Sequence, residues 1–167
     1  MTSHNNGDNN ECRTICAVCG GDCCRTMPGI DSPERYLAAP DPTGALFQTL
    51  ASGLWVLDRH YGLPPGDNGE PQIMASELLL FYPRPATLAE RDTVGIMAQG
   101  GVGECVFLDT DGCRLSFSDR PRMCQALEPD TTFECTSSWT RLAAARAWLP
   151  LQELVATVLR RFPHDNI

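Results

Sequence analysis

Four sulfurs lie within the stretch Cys16-Ala17-Val18-Cys19-Gly20-Gly21-Asp22-Cys23-Cys24, and this knot constrains the chain more than any other segment. No apolar periodicity asks for such density. Four further cysteines follow far downstream, at Cys105, Cys113, Cys124 and Cys135, and a ninth, Cys12, precedes the knot. The odd total fits poorly with complete intrachain pairing.

The compartment bears on what the thiols do. Residues 1–11 read as a polar, disordered arm. They have neither the basic region nor the apolar region of a signal peptide. The apolar run at 78–82 is too short to span a bilayer. A cytoplasmic location is therefore expected, with no membrane association. In a reducing cytosol, cysteine-rich patterns are read as metal-binding or catalytic rather than as a disulfide framework. The net charge of −8 argues against nucleic acid as a partner, because phosphate binding needs a basic face. All 13 basic residues are arginine, which removes lysine as a base or Schiff-base former.

Residues 12–167 read as one domain, α+β and helix-rich, compact, with a small hairpin and loops organised around a cysteine-ligated metal centre. Ser32 and Pro33 open a short helix. Thr43 caps a longer one to about Tyr61, with Leu46, Leu50, Leu54 and Leu57 on its buried face. Gly62 stops it, which puts His60 in its last turn as a cation near the helix dipole. Residues 73–82 are open between strand and helix, and Pro83-Arg84-Pro85 ends that element. Thr87 caps a helical turn. Cys105 to Leu108 reads as a strand that turns at Thr110-Asp111-Gly112 and returns through Cys113. Asp119 caps a helix carrying Cys124. Ser138 caps the last helical region, which Pro150 breaks, leaving a second helix from Leu151 to Phe162.

Thiolates are soft ligands that suit zinc, cuprous copper and iron–sulfur clusters. Short Cys-x2-Cys and Cys-x3-Cys spacings let two sulfurs from one loop meet one centre. The adjacent pair Cys23-Cys24 resists chelating a single ion, because neighbouring side chains diverge. Either one is spare, or the two serve separate centres, or they ligate different atoms of a polynuclear cluster. The candidate metal ligands are Cys16, Cys19, Cys23, Cys24, Cys105, Cys113, Cys124 and Cys135. Arg114, Arg120 and Arg122 lie near the downstream group and could offset thiolate charge. Thiol–disulfide exchange at Cys16-x2-Cys19 is the other chemistry of that spacing, but no thioredoxin-like unit surrounds it.

In combination these segments resemble the cysteine-cluster proteins of the CxxCxxCC type, a zinc- or iron-chelating family also called Fe–S-cluster-containing proteins. The matching pieces are the knot at Cys16, Cys19, Cys23 and Cys24, the hairpin Cys105-Val106-Phe107-Leu108-Asp109 with Gly112-Cys113, and Arg120-Pro121-Arg122-Met123-Cys124. Cys135 follows, as a late cysteine often does in that family. Three residues separate Cys19 from Cys23 where the family name implies two. The resemblance implies a metal site and no particular substrate.

The reading is a protein holding an iron–sulfur cluster of the 4Fe–4S type, in a redox role or as accessory to an enzyme partner. The alternatives are a zinc protein of structural or interaction character, and a carrier that sequesters or delivers a soft metal. No acid–base pair, nucleophile triad or nucleotide loop stands out, so no reaction is named.

Overall fold

A computed structural model describes residues 20–67, 69–92, 95–100, 102–110, 112–128 and 135–163, with the backbone only at position 23. The expected arm at 1–11, together with Cys12, Cys16 and Cys19, lies outside the described residues.

Helix α1 (Asp22–Thr26) leads through an extended segment to α2 (Glu34–Leu37) and α3 (Pro42–Ala51). Asp41 caps α3, its side chain accepting from the Gly44 N–H at 2.9 Å, with Pro42 in the first turn. The cap is thus Asp41 rather than Thr43. Likewise Pro33 directly precedes α2, which has no side-chain cap, where Ser32 was expected to act.

The helix expected to run to Tyr61 ends at Ala51, and β1 (Trp55–Tyr61) follows. Gly53 adopts φ +71°, which ends the helix, and Ser52 Oγ accepts from the Leu54 N–H. The leucine spacing misled because it runs across the break. Leu46 and Leu50 are buried from the helix, and Leu57 is buried from the strand. His60 therefore sits on a strand and not at a helix end. With half of one expected helix gone, the fold is α+β but less helical than the sequence suggested.

β1 pairs antiparallel with β2 (Leu79–Pro85), in the register Trp55 to Pro85 through Tyr61 to Leu79. Pro83 and Pro85 were expected to end this element and instead belong to it. Proline lacks a ladder donor, so it is tolerated only where no inter-strand bond is asked of its nitrogen. Opposite Pro83, Leu57 turns its own N–H the other way, to the Ile96 carbonyl at 2.7 Å. The outer edge of β2 is occupied. The Asp31 N–H donates to the Pro83 carbonyl, and the Gln152 amide both accepts from and donates to the Phe81 backbone.

Thr87 caps α4 (Leu88–Arg91) through a reciprocal capping box with Glu90. β3 (Leu108–Asp109) and β4 (Gly112–Cys113) form the small hairpin. The hairpin is shorter than expected. Cys105 makes an isolated bridge to Thr87, and the chain turns before β3 begins. A 3-10 turn (Phe117–Asp119) leads to α5 (Arg122–Gln125), preceded by Pro121 rather than capped by Asp119. β5 (Leu127–Glu128) and β6 (Thr136–Ser137) pair as a third two-stranded unit.

Thr140, not Ser138, caps α6 (Arg141–Trp148), and a 3-10 turn through Pro150 joins it to α7 (Gln152–Leu159). The run Arg141–Leu159 has the length and composition of a membrane-crossing helix. Here it packs against β2 and α3, and Ala144, Ala145, Trp148, Val155 and Val158 are fully buried. With Ile30, Tyr36, Leu46, Leu50, Leu57 and Leu80 they form the main core.

Candidate metal site

The knot's last residues are built into the fold through backbone contacts. Gly20 and Gly21 both take positive φ, 64° and 72°, a turn that non-glycine residues resist. The turn starts α1, where the Cys24 N–H donates to the Gly21 carbonyl at 2.8 Å. A Cβ on Gly21 would stand 2.6 Å from Leu108 Cδ1, so the turn rests directly on the small hairpin.

From α1 the chain runs beside the segment that carries Cys105. The Cys105 N–H donates to the Cys24 carbonyl at 2.8 Å, and the Gly103 N–H to the Thr26 carbonyl at 3.0 Å. Arg25 and Glu104 form an ion pair over the outside of this contact. On its other side Cys105 bridges to Thr87, and the Val106 N–H donates to the Ala86 carbonyl. Cys113 stands opposite Leu108 in the hairpin.

A few residues later the same N-terminal segment meets α5. A Cβ on Gly29 would lie 2.5 Å from Cys124 Sγ, so the sulfur occupies the space that any side chain there would need. The Met123 N–H donates to the Ile30 carbonyl, and the Arg122 N–H to Asp31 Oδ1. Ser137 Oγ donates to the Met123 carbonyl, which ties the strand after Cys135 to the same helix.

Residues 24–31 thus touch both the Cys105 segment and the Cys124 helix. Cys105 is buried, and Cys24, Cys113, Cys124 and Cys135 are half-buried. Among the described residues, no three side chains of His, Cys, Asp or Glu come together as a metal-binding group. Cys16, Cys19 and the side chain of Cys23 lie outside that description. Burial pushes the Cys105 thiol up to about 11, with the neighbouring Cys113 adding to the shift and Arg84 opposing it. By itself this thiol stays protonated; an adjacent metal cation reverses that preference.

Arg114 donates to the Val106 carbonyl, next in the chain to Cys105. Arg120 is buried, with its guanidinium over the Phe117 ring. His60 faces Tyr82, ring centroids 6.2 Å apart. Burial, helped by Arg141, lowers its pKa against the pull of Asp58.

A polar network beneath this region went unread in the sequence. Arg84 is fully buried. It donates through Nε to Asp58 Oδ2 at 2.9 Å and through both terminal nitrogens to Glu90 at 2.8 Å. Glu90 also accepts from the N–H groups of Thr87 and Gln99. Burial disfavours its charged form, but the Arg84 and backbone hydrogen bonds outweigh that and hold it at about 2. Asp58 also takes Arg141, whose other terminal nitrogen lies 3.0 Å from Met27 Sδ. The network therefore reaches from Met27, just after α1, to Thr87, which bridges to Cys105. One signal was available in the sequence: the Thr-x-x-Glu capping box at Thr87 and Glu90.

No family model, curated protein or solved structure matches this chain.

Proposed function

We propose that this protein holds an iron–sulfur cluster, of the 4Fe–4S type, ligated by four cysteines drawn from Cys16, Cys19, Cys23 and Cys24 on one side and Cys105, Cys113, Cys124 and Cys135 on the other, the rest serving as structural or reactive thiols. The observation that carries the reading is the direct backbone pairing of Cys24 with Cys105. It joins the knot to a cysteine far along the chain, in a layer that continues to Cys124 through Gly29.

The donor set fits such a group. Thiolates are its usual ligands. Cys23 and Cys24 are adjacent in the sequence. Adjacency disfavours one shared ion and suits different atoms of a cluster. Cys105 lies in low-dielectric surroundings, which favour a bound cation over a bare thiolate. The cluster would supply one-electron transfer. The protein's residues would hold it, shield it and orient it toward a cytoplasmic enzyme partner. Membership in the CxxCxxCC type belongs to the same proposal.

Purification without oxygen tests it. Brown protein with broad absorbance near about 400 nm and matching iron and acid-labile sulfide supports the reading. Colourless protein with stoichiometric zinc overturns it in favour of a structural zinc site. Metal that a competing thiol removes without unfolding overturns it in favour of delivery.

A further inference from the structure

A cleft of about 600 Å³ opens between the segment around α2 and helix α5, with Trp139 in its wall. That volume lies in the range of small-molecule sites. Its charges divide into a spent pair and an unspent pair. Arg35 Nε binds Asp31 Oδ2 at 2.9 Å, and its Nη2 is taken up by the Asp119 and Arg120 carbonyls. Asp31 is further occupied by the N–H groups of Ser32 and Arg122. The Arg122 guanidinium and the Glu34 carboxylate are different. Among the described residues neither makes a side-chain hydrogen bond or ion pair, and both line the cleft. The Trp139 indole N–H is a buried donor with no partner among the described residues.

We propose that this cleft binds a small zwitterion, a free α-amino acid, with its carboxylate on Arg122 and its ammonium on Glu34. A simple anion would meet Arg122 but face the Glu34 and Asp31 carboxylates. A simple cation would meet Glu34 but face two guanidinium groups. A molecule carrying both charges matches both unspent partners, and charge-assisted hydrogen bonds are the strong ones. Guanidinium presents a planar fork that suits a carboxylate. The indole ring gives an amino-acid side chain an apolar wall. The proposal does not depend on the metal reading, although Arg122 and Gln125 share α5 with Cys124.

Calorimetry on the full chain, with and without bound metal, tests it using L-phenylalanine, N-acetyl-L-phenylalanine and L-phenylalaninamide, with L-alanine as the smaller probe. The free amino acid binds at least about tenfold more tightly than either blocked form, a difference of about 1.4 kcal/mol. Arg122→Gln removes the preference over the amide, and Glu34→Gln removes the preference over the acetylated form. Both side chains are exposed, and a melting curve checks each variant's fold. Equal binding of all three phenylalanine probes, no heat from either free amino acid, or variants that bind like the parent would each overturn the proposal. So would tighter binding of inorganic phosphate. A colourless, metal-free preparation that still discriminates among the probes separates this site from the metal reading.

Discussion

The backbone N–H of Cys105 donates to the carbonyl of Cys24 at 2.8 Å, joining two segments separated by about half of the chain. Neither sulfur is needed for that bond. The fold itself brings the last residues of the knot beside the Cys105 segment, and single-site variants at the two sulfurs test the proposed metal centre separately from that backbone contact.

If both cysteines serve one centre, Cys24→Ser and Cys105→Ser each lower metal content and melting temperature together. The double variant then loses little beyond the worse single one, because the centre is already gone. Elemental analysis and thermal melts on all three proteins check this. Fully additive losses, or unchanged metal in either single variant, would count against a shared centre.

Arg84→Met takes the guanidinium away from Asp58 and Glu90, leaving Asp58 only its longer contact with Arg141 at 3.4 Å. Breaking a buried pair in this way costs about 3–5 kcal/mol. Arg25→Met, which removes the exposed pair with Glu104, costs less than about 1 kcal/mol. Urea titrations of the two variants give the contrast. Similar midpoints would mean that the buried network adds nothing beyond a surface pair.

Glu90 sets a pH dependence of definite sign. Its folded pKa of about 2 lies below its ordinary value of 4.5. The stability it contributes is fully present above about pH 4.5 and is lost as pH falls through about 2. The shift corresponds to about 3 kcal/mol. Urea midpoints measured between pH 5 and pH 2 should fall in the parent. Glu90→Gln should start lower and flatten that slope. A parallel decline in both proteins would place the acid sensitivity elsewhere.

Gly29→Ala drives a methyl group into Cys124 Sγ, and the nearby Cys124 N and Met123 Cβ, each 3.3 Å from the new Cβ, leave little room to yield. The overpacking costs about 1–3 kcal/mol and shifts the sulfur. Gly53→Ala supplies the comparison. Its φ is +71° with open space around it, so only backbone strain of about 1–2 kcal/mol applies. Melting curves rank the two variants, and metal content should fall only for Gly29→Ala. Equal metal loss from both would mean that close packing at Gly29 is not what positions Cys124.

The two groups of cysteines were legible because their density needs no fold to be noticed. The α3 start, the turn of helix at Thr87 and the break at Pro150 were legible to within a few residues, since caps and prolines act locally. The boundary at Gly53 was not. Leu54 and Leu57 keep the helical spacing of Leu46 and Leu50, and a strand can continue burying leucines where a helix stops. Pro83 and Pro85 misled for a related reason. Whether a proline is tolerated in a strand depends on which way its partner's N–H faces.

The sequence by itself determined the chemistry on offer: cysteine sulfurs in two groups, no lysine, a net charge of −8, and short-range turn and cap signals. Those follow from residue identity and spacing over a few bonds. Tertiary structure decided which distant groups meet. It set Cys24 beside Cys105 and packed Gly29 on Cys124. It buried Arg84 between Asp58 and Glu90, and it set Arg122 and Glu34 in the lining of one cleft. Each of these depends on long-range packing and on whether a charge finds its partner before burial becomes too costly, and neither can be read from local sequence.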